Sequence, residues 1–306
     1  MEPRKWLLLT TALIIGIAAL SIAVNMLIDP YGLFRPVSGR RLSAYGDTRI
    51  SKYLLNMRYV PENFNAVLIG NSLSANWNMR GIEKVRVYND SINGGNIVEE
   101  KAIVESALAR HSLSVAFITV NPDFTTTHNF KTAVLDPALK WSALGSISLG
   151  RVYKGMFLDR LHPGVAPVDD VGTVTFPAYP TDLDEGEKDL WLSGGEFPID
   201  SVAWQSYKDL IAELRRHGVR IFFVIPPTSE WILTPRRQAF DNYVRLVATD
   251  IAGPEDTWID FASKPYEAFR ADRSNFNDGV HLYPSATERI VAEMNRVVDQ
   301  RLHQTR

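Results

Sequence analysis

Short, mainly apolar runs alternate along this chain with stretches whose apolar positions recur every three or four residues. The runs are Ala66–Gly70, Val85–Tyr88, Val115–Val120, Val219–Ile225 and Thr257–Phe261. Each is too short for a packed helix, and a run apolar at successive positions predicts a strand covered on both faces. Helical spacing fills the gaps. Asn96–Arg110 places Ile97, Ile103, Val104, Ala107 and Leu108 on one side, and Ser201–His217, Arg236–Ile251 and Ser285–Leu302 follow the same period. Strands alternating with helices predict an α/β protein: a three-layer α/β/α sandwich around a doubly wound parallel sheet.

Three stretches depart from this alternation. Trp6–Ile28 is 23 residues without a charge, and at 1.5 Å per residue it can cross a hydrocarbon core of about 30 Å. It is expected to be an uncleaved transmembrane helix, so residues 1–28 form an N-terminal membrane anchor. A cleaved signal peptide and a buried core helix are the alternatives, the former through Ser21-Ile22-Ala23 as a cleavage site. Arg4 and Lys5 precede the span while Arg35, Arg40, Arg41 and Arg49 follow it, so the positive-inside count does not set the orientation. The five-residue tail argues for a domain outside the cytoplasm, in the periplasm. Residues 29–64, punctuated by Pro30, Gly32, Pro36, Gly39 and Gly46, read as a tether, and 65–306 as the main domain. Within it, 122–200 is an insertion, with one amphipathic helix at Ser148–Leu161 and then a stretch rich in Pro, Gly and Asp. Such an insertion either shapes a substrate pocket or elaborates the surface.

Composition narrows the function classes. A formal net charge of −2 and no basic stripe with interleaved aromatics give no footprint for nucleic acid. The absence of cysteine removes disulfides, thiolate catalysis and Cys-based zinc sites. His128 and His162 have no metal-ligand spacing, and no Gly-rich phosphate loop occurs, so neither a metal nor an organic cofactor is expected. His111 and His217 each end a helix ahead of a strand, where imidazole suits the helix dipole. Pro226-Pro227 reads as a strand terminator.

The candidate chemistry lies where strands end. A doubly wound sheet binds its ligand at the carboxyl edge, and Ser72, Gly94, Asn121, Asp278 and His281 all fall in loops on that edge. A serine hydroxyl needs a base, and the base needs an acceptor on its other nitrogen. Asp278, three residues before His281, can accept from Nδ1 and leave Nε2 for Ser72. The backbone N–H groups of Ser72 and Gly94 and the Asn121 side-chain amide are candidate oxyanion donors. Each residue also has an ordinary structural reading. Ser72 can serve as a helix N-cap, Asp278-Gly279 and Gly94-Gly95 as turns, and Asn121 as a turn opener before Pro122.

Taken in order, these blocks resemble the SGNH, or GDSL-like, hydrolase superfamily. Gly70-Asn71-Ser72-Leu73 resembles the nucleophile block, with Asn replacing Asp, and Val87 through Gly95 resembles the Gly block. Asp278-Gly279-Val280-His281 followed by Pro284 resembles the Asp-x-x-His block. The Asn block departs, since Asn121-Pro122-Asp123 stands where the family has Asn-Asp. The resemblance covers about 64–121 and 201–303. It implies a flavodoxin-like SGNH fold, a Ser72–His281–Asp278 triad and an acyl-enzyme. The layout of one N-terminal span followed by Asp29-Pro30-Tyr31-Gly32 resembles anchored members that act in bacterial envelope or exopolysaccharide O-acetylation. It implies an esterase or O-acyltransferase, with a carbohydrate or other O-acyl ester as substrate and a membrane-bound acyltransferase as a candidate partner. A lipid-type carboxylesterase or lysophospholipase, and an inactive SGNH-like scaffold that binds a polysaccharide or a partner, are the competing expectations.

Overall fold

The computed structural model describes residues 2–110, 113–126, 135–164, 166–176 and 195–303. Its elements run α1 (Pro3–Ile28), α2 (Thr48–Asn56), α3 (Tyr59–Asn63), β1 (Ala66–Ile69), α4 (Ser72–Ala75), β2 (Val87–Asn89), α5 (Ile97–Leu108) and β3 (Val115–Thr119). After the start of the insertion come α6 (Leu149–Leu161), α7 (Ser201–Arg216), β4 (Arg220–Ile225), α8 (Glu230–Asp250), β5 (Thr257–Asp260), α9 (Glu267–Ala271) and α10 (Pro284–His303). The five strands form one parallel sheet in the order β2-β1-β3-β4-β5.

Alternate side chains of each strand enter different cores. Val67, Ile69, Ala116, Ile118, Ile221 and Phe223 pack with residues of α5, α7 and α8. Ala66, Leu68, Val115, Phe117, Phe222 and Val224 pack on the other face with residues of α10. Burial on both sides is why β1, β3 and the inner part of β4 read as nearly unbroken apolar runs, each large side chain contributing about 1.5–3 kcal/mol, whereas Arg220 at the start of β4 is exposed and the edge strand β5 is mostly half-buried. The chain leaves β1 towards one edge, then returns past it to β3. The β1 and β3 carboxyl ends therefore flank the switch point, where such sheets open a crevice.

Residues 29–64 do not form a tether. Asp47 caps α2 by accepting from the N–H groups of Arg49 and Ile50, and Leu54, Leu55, Tyr59 and Val60 are buried in the domain. The Pro and Gly residues punctuate turns of a folded segment, and the apolar positions of α2 and α3 provide its packing. A second difference is the start of α8, which begins six residues before the expected Arg236. Pro235 removes one helical hydrogen bond there, yet full burial of Ile232 and Leu233 holds the extra turns. The insertion is described only in part, and His111 and His128 lie outside the described residues. His217 does cap α7, its Nε2 standing 2.9 Å from the Glu213 carboxylate.

α1 is long and apolar enough to cross a membrane, and its apolar window is buried nowhere in the protein. It ends on Asp29, which takes the left-handed conformation at φ 47°. The Asp29 carboxylate accepts from the N–H groups of Leu33, Phe34 and Arg35 and pairs with Arg40. A left-handed aspartate is sterically costly, and these bonds offset that cost.

Candidate active site

Ser72 is the first residue of α4, a helix of four residues. A helix that short has no stability of its own, so tertiary contacts must hold it. Asn71 caps its start, accepting from the Leu73 N–H at 3.2 Å. Asn89, the last residue of β2, donates to the carbonyls of Ser74, Ala75 and Trp77 at its far end. Gly70, between β1 and the cap, sits where a Cβ would lie 2.2 Å from Ser74 Oγ and 2.5 Å from Thr119 Oγ1. The Gly-Asn-Ser order thus follows from close packing and capping. Ser72 itself stays half-buried.

Across the switch point, the Asn71 and Asn121 side-chain amides exchange hydrogen bonds of 3.3 and 3.4 Å. Asn121 is buried at the end of β3, and its Nδ2 carries a second hydrogen that this exchange does not use. An Asp in place of Asn71 could accept here but could not donate. Asn at position 71 therefore allows the reciprocal pair, which ties the serine turn to β3.

The second motif is equally well built. Asp278 Oδ2 accepts from His281 Nδ1 at 2.5 Å, and Oδ1 accepts the N–H groups of Val280 and His281. Burial alone would raise the Asp278 carboxyl, but the His281 hydrogen bond and charge, with the two backbone donors, outweigh it and hold it below its ordinary range. The intervening Gly279 adopts φ +99°, and a Cβ on it would meet Trp231 at 2.5 Å. A bridge between Phe276 and Leu282 closes this loop, and Ser229 donates to the Gly279 carbonyl.

One bond fastens the two motifs. Asn76, one turn after Ser72, donates from Nδ2 to the carbonyl of Leu282 at 2.8 Å, and Leu282 follows His281 directly. No hydrogen bond between Ser72 and His281 occurs among the described residues; the tie runs through Asn76. Beside it lies a cleft of about 450 Å³ walled by Asn76, Asn78, Thr175, Phe176, His281 and Tyr283, among others, and not by Ser72 itself. The Phe176 ring meets His281 edge-on at 5.7 Å, so the insertion reaches the site. A larger hollow of about 620 Å³ lies beside Arg220 and Thr257, at the amino ends of β4 and β5. Strand polarity favours the smaller one.

No family model matches the chain, and no curated protein matches it. Its chemistry has to be read from its own residues.

The Gly94 loop is held by two residues that the sequence pattern did not single out. Gly94 has φ +58° and is exposed, and Arg49 donates to the carbonyls of Asn93 and Gly94 while pairing with Glu99 at 2.8 Å. Beneath this loop Lys52 is fully buried, and its Nζ donates to the carbonyls of Asn89, Ser91 and Gly172 at 2.7, 2.7 and 2.8 Å. Burial pushes the Lys52 ammonium below its ordinary value, against the pull of Asp90 and Glu100. Burial also pushes both of those carboxyls up. Lys52 thus joins β2, the Gly loop and the 166–176 segment at one buried charge. The available signal was an ion-pair-capable lysine on the apolar side of an amphipathic helix. The groups it binds are 37 to 120 residues away.

Proposed function

We propose that this protein is a serine-dependent O-acyltransferase or esterase of SGNH type, with its fold a version of that superfamily's α/β/α sandwich. In this reading α1 is an uncleaved span and the domain lies outside the cytoplasm. The observation that carries the reading is the 2.5 Å Asp278–His281 pair on a loop fastened beside the Ser72 helix. A buried carboxylate on imidazole Nδ1 leaves Nε2 as the proton acceptor.

In this mechanism Ser72 Oγ attacks the acyl carbonyl and its proton passes to His281 Nε2. The tetrahedral oxyanion forms near the Ser72 and Gly94 N–H groups and the second Asn121 hydrogen. Collapse breaks the ester C–O bond, and His281 returns the proton to the leaving alcohol. His281 then deprotonates a water or a sugar hydroxyl, which attacks the acyl-serine and restores Ser72. Hydrolase and transferase share every step except the identity of this last nucleophile.

Carbohydrate and lipid-type esters both fit a cleft walled by Asn78 and Thr175 beside Val174, Phe176, Leu282, Tyr283 and Pro284, and hydrolysis of sugar acetates against long-chain esters distinguishes them. The test uses the full chain with a fluorophosphonate probe and p-nitrophenyl acetate, beside Ser72→Ala and His281→Ala. Labelling and turnover are expected for the parent, with both lost in Ser72→Ala. A folded parent that neither labels nor turns over refutes an enzymatic role and leaves the binding scaffold.

A further inference from the structure

The end of α1 is fastened to the domain. Asn25, in its last turns, is buried; its Nδ2 donates to the Leu144 carbonyl at 2.6 Å, and its Oδ1 accepts from the Tyr153 hydroxyl. Asn25 lies three residues before the helix end, which is about 4.5 Å along the axis. Leu144 therefore stands level with the apolar part of α1, not beyond it.

Around this contact, residues 137–161 turn large apolar side chains outward. Trp141, Ile147, Phe157 and Leu161 are exposed at 59%, 99%, 62% and 56%. Ile147 follows Leu144 by three residues, a reach of at most about 11 Å. The inner face of α6 is spent on the domain, with Leu149 and Val152 buried and Met156 packed beside them. Its outer face sets Lys154, Phe157 and Leu161 in helical register. Within 137–161 there are four cations, Lys140, Arg151, Lys154 and Arg160, against the single carboxylate of Asp159. That carboxylate already accepts from the Tyr45 hydroxyl, and Lys140 lies over the Trp141 ring at 4.9 Å.

An apolar face edged with cations, and level with the end of a span, matches the headgroup layer of a bilayer. We propose that residues 137–161 form an interfacial platform on the membrane that α1 crosses, with Trp141, Ile147, Phe157 and Leu161 entering the acyl boundary. This rests on the reading of α1 as an uncleaved span. A span free to tilt would carry the fastened domain with it, whereas a second contact fixes its attitude. The chain continues from this platform through 166–176 into the wall of the cleft at Phe176, so docking also fixes the height of the cleft above the lipid.

The chain has no cysteine, so a single introduced cysteine takes a spin label without background. Leu13→Cys, Ile147→Cys, Phe157→Cys and Val202→Cys are each made in the full chain and reconstituted in phosphatidylcholine vesicles containing phosphatidylglycerol. Collisional access to oxygen is compared with access to a polar nickel chelate; Val202, exposed on α7, is the water reference. The expected result is a deep position for Leu13 and oxygen-to-nickel ratios at Ile147 and Phe157 several-fold above that at Val202. Water-like labels at Ile147 and Phe157 beside a lipid-exposed Leu13 overturn the platform alone. Labels shielded from both reagents point to a protein contact and overturn it too. A water-like Leu13, or a mature mass lacking the N-terminal segment, overturns the platform and the span together.

Discussion

Lys52→Met retains most of the buried stem and removes the ammonium. Three carbonyls, those of Asn89, Ser91 and Gly172, lose their donor, and Asp90 and Glu100 lose a buried counter-charge. Leaving a buried charge uncompensated costs about 3–5 kcal/mol. Both carboxyls can limit that cost by taking up protons, because burial already raises them, and the remaining loss is then that of unmade hydrogen bonds, about 1–3 kcal/mol per group. The sign with pH follows. A carboxyl raised in the folded state stabilises fully below its unfolded value of about 4 and loses that contribution as pH rises through the folded value. Removing Lys52 raises both folded values further, so the deficit of the variant widens as pH rises. Thermal unfolding of the full chain in detergent, followed by the fluorescence of its seven tryptophans, measures this. At about 2–4 °C per kcal/mol, a fall of roughly 6–20 °C is expected near neutral pH. It should be clearly smaller at about pH 5. A variant as stable as the parent, or a deficit equal at both pH values, would refute the assignment of Lys52 as the compensating charge.

Three further outcomes test the site. Asp278→Asn removes the acceptor that fixes the His281 tautomer, and turnover of p-nitrophenyl acetate should fall roughly 10³- to 10⁴-fold with the unfolding temperature little changed. Arg49→Ala releases the Asn93 and Gly94 carbonyls, and a loss of about 10- to 100-fold in turnover is expected, with little change in substrate KM, because oxyanion donors act in the transition state. Gly172 has φ +84°, and a Cβ there would lie 2.2 Å from the Asn89 carbonyl oxygen. Gly172→Ala should therefore destabilise by about 1–3 kcal/mol, read as a lower unfolding temperature, and slow fluorophosphonate labelling of Ser72.

The sequence by itself determined the central strands, because burial on both faces demands apolar residues at nearly every position of β1, β3 and β4, and that leaves a readable run. It determined α1 as well, since 23 successive uncharged residues make one helix long and apolar enough to cross a membrane. The Asp278–His281 pair was also legible, being a contact between neighbours three apart on one loop. Tertiary structure decided the rest. The segment 29–64 looked like a tether because its turns are marked by Pro and Gly, while Lys52 binds backbone carbonyls and Arg49 binds two more beside Glu99, and no side-chain pattern announces a carbonyl partner. Asn71 meets Asn121, and Asn76 meets Leu282, only because parallel strands deliver all their carboxyl ends to one edge. Sequence names the residues that can react; which of them meet depends on strand order, a property of the folded chain as a whole.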